Sequence, residues 1–124
     1  MNIIISNSSD TPIYSQIVQC IQRDIVNGVL SGGDALPSIR ALAKDLSVSV
    51  ITTKKAYEML ENQGYIETQA GKGSVVSKRS GTLAREHKVS QMEQSLLEAI
   101  DLSRELGLSL EELTGTLDTL YREV

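Results

Sequence analysis

Residues 69–76 read "QAGKGSVV", and a Gly-Lys-Gly followed by a hydroxyl is a composition that can grip phosphate. A nucleotide-binding P-loop needs G-x-x-x-x-G-K-[ST] between a strand and a helix, whose N-terminal amides then cradle the phosphates. With Gly71-Lys72 as the Gly-Lys pair, the first glycine would fall on Ile66, and Gly73 stands where a Ser or Thr belongs. The run that follows is β-rich rather than helical. Three requirements fail, and a nucleotide site is set aside. The glycines fit a tight hairpin, where positive φ is needed, and Lys72 becomes either a solvated turn lysine or a phosphate ligand. Further hydroxyls and cations suited to phosphate lie just upstream: Ser38, Arg40, Ser49, Thr52, Lys54 and Lys55.

Composition narrows the remaining chemistry. His87 is the only histidine and Cys20 the only cysteine, which argues against catalytic triads, His-based or thiolate metal sites, and an intramolecular disulfide. No enzyme activity, metal or cofactor is expected. No stretch approaches the roughly 18–20 apolar residues of a membrane span, and "MNIIISNSSD" lacks the basic region and cleavage site of a signal peptide. The expected setting is the cytoplasm, with no membrane partner. Net charge is −4, yet residues 1–80 hold eight Lys/Arg against seven Asp/Glu, while residues 81–124 hold four against nine. A mildly basic middle followed by an acidic tail is compatible with a local nucleic-acid face.

The elements that must position these residues follow from periodicity. Ile13, Ile17, Ile21 and Ile25, with Val18, mark a first helix between Pro12 and Gly28. "VLSGGDALP" is expected to be a loop, and Pro37 to open a second helix with Ile39, Leu42, Ala43 and Leu46 on one face. A third helix should start near Ser49, close at Gly64 and turn Thr53, Ala56, Tyr57 and Leu60 inward. "YIETQ" and "SVVS" read as two strands around the "AGKG" turn. After a polar join, "KRSGT", Val89, Met92, Leu96, Ile100 and Ser103 form a fourth helical stripe ending at Gly107. Ser109 and Glu112 form a capping box for a last helix carrying Leu110, Leu113, Leu117, Leu120 and Val124. The fold class is mainly α (α+β): a winged helix-turn-helix domain over 1–80, then a two-helix region over 81–124.

The stretch from Pro12 to Val76 resembles the DNA-binding domain of the GntR family of bacterial transcription regulators, through "PIYSQI", "NGVLSGGDALPSIRALA", "SVITT", "AYEMLENQGYIET" and "GKGSVV". The short two-helix tail is similar to the YtrA-type subfamily. The resemblance implies a homodimer bound to operator DNA. It also implies that the arginine of "LPSIR", here Arg40, contacts DNA; its alternative is a surface ion pair with Asp45 or Glu58. Many members carry arginine where this chain has Val50, so one guanine reader is missing.

A helix-turn-helix lays the first residues of its second helix against base edges. Ser49, Val50, Ile51, Thr52, Lys54 and Lys55 therefore lie where bases or phosphates would be, with Ser38 able to cap its helix and still touch a phosphate, and Val50 and Ile51 suited to thymine methyls. Ser49 has the alternative role of helix cap, and Lys54 and Lys55 that of solvated face lysines. Gly71, Lys72 and Gly73 would form a wing tip able to approach a minor groove. Met92, Leu96, Ile100, Leu110, Leu113, Leu117 and Leu120 are expected to pair with a second copy, the other choice being packing within one subunit. The expected function is a sequence-specific repressor on a palindromic operator. The alternative is a winged-helix protein-interaction module without specific DNA binding. A small-molecule effector, if there is one, would sit at a junction between copies or domains, since about 44 tail residues leave little room for a pocket of their own.

Overall fold

The computed structural model describes residues 1–124. Its elements are α1 (Ile13–Val26), α2 (Ile39–Leu46), α3 (Val50–Asn62), β1 (Ile66–Gln69), β2 (Gly73–Val76), α4 (Ser80–Glu105) and α5 (Leu110–Glu123). They form two compact units, Met1–Glu86 and His87–Val124.

In the first unit α1 packs against α3 and buries Ile17, Val18, Ile21 and Ile25 of the stripe expected of it, while Ile13 at its start is half-buried. Pro12 precedes the helix and offers no side-chain cap. Gln16 compensates by reaching back: its amide nitrogen donates to the Thr11 and Ser6 carbonyls, and its amide oxygen accepts from the Ser6 N–H. This ties the N-terminal segment down, and Ile3 and Ile5 pack at the edge of the core.

The second helix begins later than Pro37 suggests. Ser38 is its cap and accepts from the Ala41 N–H at 3.1 Å. A hydroxyl that can satisfy a free amide outcompetes a proline that has no side chain to offer. Ser47 adopts φ 55, the single left-handed non-glycine residue, and turns the chain from α2 toward α3. On α3, Thr53, Ala56, Tyr57 and Leu60 are buried, as the periodicity indicates.

The hairpin pairs Ile66 with Val76, Glu67 with Val75, Thr68 with Ser74 and Gln69 with Gly73. Both strands sit one residue away from their expected limits: Tyr65 precedes β1, and β2 starts at Gly73 rather than Ser74. Ser77 still donates to the Tyr65 carbonyl, so pairing continues past the strand end. The "VLSGGDALP" segment is more than a loop. Ala35 bridges Val75, Gly33 donates to the Val76 carbonyl, Val76 to the Asp34 carbonyl, and Leu36 to the Ser74 carbonyl. Residues 33–36 thus act as a third edge on the hairpin. Gly32 makes this approach possible, because a Cβ there would lie 2.9 Å from the Lys78 Cα.

The polar join also differs from expectation, since Ser80, Gly81 and Thr82 are already helical. Ser80 and Ala84 are almost fully buried and Leu83 packs against the core, so docking of the first turns of α4 overrides the loop-like composition.

In the second unit Gly107, at φ 69, closes α4, with Leu108 donating to the Ser103 carbonyl. The capping box at Ser109 and Glu112 is formed in both directions. Ser103 is the only buried residue of this unit, while Ile100 and Leu113 are half-buried. No helix is long and apolar enough to cross a membrane.

Candidate nucleic-acid interface

Helix α3 has one face in the core and leaves its first turn outside. Ile51 is 81% exposed and Val50 39%. Ser49 caps the helix: its Oγ accepts from the Thr52 N–H at 3.0 Å and donates to Thr52 Oγ1 at 2.8 Å. Both functions of the Ser49 hydroxyl are thereby used. The Thr52 hydroxyl oxygen accepts that hydrogen bond and keeps its own O–H available for an acceptor such as phosphate. Thr53 donates to the Ser49 carbonyl at 3.1 Å and points inward.

The two lysines of α3 have different partners. Lys54 faces Glu58 at 3.9 Å, an exposed pair four residues apart. The Lys55 ammonium stands 4.0 Å from the centroid of the Tyr14 ring on α1. Arg40, in the first turn of α2, is exposed and makes no ion pair; Glu58 is taken by Lys54, and Asp45 pairs with nothing. Ser38 remains exposed beside it while capping the helix.

These turns are held in register by Tyr57. Its hydroxyl donates to the Pro37 carbonyl at 2.7 Å, joining the middle of α3 to the residue just before the α2 cap. Burial pushes the Tyr57 pKa up to about 12, so the phenol remains a donor well into the alkaline range. Tyr65 is also raised, by burial first and by the nearby Glu86 second. Periodicity marks Tyr57 as core but gives no sign of its hydrogen bond. Tyr14 is absent from the site that the sequence suggests, although a signal for it exists: it extends the Ile17, Val18, Ile21 stripe by one turn toward α3.

At the hairpin tip, Gly71 and Gly73 take φ 78 and 73, a left-handed conformation that side chains rarely adopt. Lys72 lies between them, exposed, its N–H donating to the Gln69 carbonyl. Nothing crowds either glycine, so the tip backbone is open to an approaching surface.

The tail residues divide into two sets. Ile100 and Leu113 are half-buried, whereas Met92, Leu96, Leu110, Leu117 and Leu120 are exposed, Leu110 by 79%. Met92, Leu96, Leu117 and Tyr121 line an apolar cleft within this unit.

The comparisons with known proteins agree with this architecture. The profile of the family "Bacterial regulatory proteins, gntR family" matches residues 13–76. The chain is 37% identical over 116 residues to the HTH-type transcriptional repressor YtrA of Bacillus subtilis, covering 94% of this chain and 89% of that one. A transcriptional regulator from Oenococcus oeni superposes with a TM-score of 0.81 at 26% identity, covering 94% of this chain and 97% of that one. The DNA-binding domain of AraR, solved in complex with operator ORE1, superposes at 0.52 with 25% identity, over 62% of this chain and 94% of that one.

Proposed function

We propose, from the premise that this chain belongs to the GntR family of bacterial regulatory proteins and is a DNA-binding transcription regulator, that it represses transcription by occupying a palindromic operator as a homodimer. The observation that carries this reading is the exposed first turn of α3, with Ile51 presented to solvent on a helix otherwise anchored in the core. We assign Val50 and Ile51 to thymine methyls, Thr52, Lys54, Lys55 and Ser38 to phosphates, and Arg40 to a guanine edge or a phosphate clamp. Ser49 serves mainly to cap and aim that turn. Gly71, Lys72 and Gly73 bring the wing to the adjoining backbone.

A dimer is supported by the tail. A unit with one buried residue and a row of exposed Met and Leu side chains gains apolar burial by pairing, and the YtrA repressor, similar over nearly the whole chain, gives the precedent for repression. The test is footprinting on DNA upstream of the chain's own operon. Protection of two half-sites related by twofold symmetry is expected; a protected segment lacking that symmetry would contradict the dimeric reading.

A further inference from the structure

The two neighbouring lysines of α3 are prepared differently. Lys54 lies beside the carboxylate of Glu58, which offsets its charge and must be exchanged for a phosphate on binding. Lys55 lies over a neutral ring, 4.0 Å from the Tyr14 centroid. An aromatic face attracts an ammonium through its quadrupole, so it holds the side chain without cancelling its charge. It also leaves the N–H groups that point away from the ring free to donate. A flexible lysine that is already oriented loses less freedom when it meets a fixed partner.

We propose that Tyr14 is a positioning residue of the DNA interface. It holds Lys55 as a charged, pre-aimed phosphate clamp, so that α1, outside the helix-turn-helix itself, contributes to operator affinity. The proposal rests on the DNA-binding reading above.

The test is a double-mutant cycle on the full chain, read as operator affinity against salt. Tyr14→Phe keeps the ring and should bind as the parent does. Tyr14→Leu should bind roughly three- to fivefold more weakly, as for an exposed cation–π pair, with the salt slope unchanged. Lys55→Gln should lower the slope by about 0.9 for each phosphate that the lysine neutralises. In the Lys55→Gln background, Tyr14→Leu should cost nothing more. Multiplicative losses, or a Tyr14→Phe variant as weak as Tyr14→Leu, would overturn the proposal while leaving parent binding intact. Failure of the parent to bind any operator would overturn the DNA reading and this inference with it.

A second measurement does not depend on how the Leu variant folds. The ring current of Tyr14 should move the Lys55 ε-methylene protons of the free parent protein upfield, and the shift should persist in Tyr14→Phe. Unshifted protons would overturn the Tyr14–Lys55 pairing itself.

Discussion

Arg40 presents a guanidinium without a carboxylate neighbour, on a turn fixed by the Ser38 cap. Arg40→Ala should therefore weaken operator binding by roughly 1–3 kcal/mol if it reads a base, measured by anisotropy titration, with little change in thermal stability. Equal binding would assign the arginine no role at the interface. Ile51 allows a finer test. Replacing single thymines of the operator by deoxyuridine removes one methyl group each, worth roughly fourfold in affinity where Ile51 covers it. The same replacement should be silent for Ile51→Ala; a loss that persists would place the methyl elsewhere. Tyr57 gives a pH signature. Its folded pKa is raised to about 12 from 10, so the neutral phenol is the stabilising form. That contribution is complete below pH 10 and is lost as pH rises toward 12. Tyr57→Phe should be less stable at neutral pH and should lack this part of the alkaline decline in chemical denaturation. At this scale the sequence shows which residues face inward, because periodicity reports burial. It does not show the Tyr57 bond to Pro37 or the Tyr14–Lys55 pairing, because those depend on how separate helices meet.

The elements are legible in the sequence where one local rule acts alone. The α1 and α3 stripes and the Ser109–Glu112 box follow their spacing. The structure departs from expectation where two rules compete. Ser38 displaces Pro37 at the start of α2, residues 33–36 join the hairpin edge beside two glycines, and burial of Ala84 draws Ser80–Thr82 into α4. The joined edge gives a prediction of its own. Gly32→Ala would force a Cβ against the Lys78 backbone, so the variant should unfold at a lower temperature by several degrees, as for a loss of about 1–3 kcal/mol. A melting curve identical to the parent's would show that the two segments separate freely. The hairpin tip behaves differently, because Lys72 contributes charge and not packing. Lys72→Ala should leave the melting temperature unchanged and reduce the salt slope of operator binding by about 0.9 for each phosphate that the wing neutralises.

For the whole molecule, charge is unevenly divided: residues 1–80 are mildly basic and residues 81–124 are acidic. Residues 81–124 carry nine of the sixteen acidic residues, while the exposed cations Arg40, Lys54, Lys55 and Lys72 lie in the first unit. With so few cations per subunit, one copy alone should bind weakly, and the proposed pairing of two copies would double the number of phosphates neutralised. Leu117→Glu, placed in the apolar cleft of the tail, should shift the protein toward monomer in sedimentation and weaken operator binding at least roughly tenfold, without unfolding residues 1–86. The tail's apolar pattern is legible in the sequence, but its division is not. Ile100 and Leu113 are half-buried, whereas Met92, Leu96 and Leu117 stay exposed, and a single apolar repeat of about 3.5 residues cannot distinguish the two. Phosphate neutralisation and base readout together should set how tightly this regulator holds its operator. The most direct measurement is its affinity for the upstream operator and for a scrambled duplex, titrated from about 50 to 300 mM salt. Affinity should fall steeply with salt on both duplexes, with the operator bound at least roughly a thousandfold tighter throughout. Equal affinity for the two duplexes, or binding indifferent to salt, would contradict this reading.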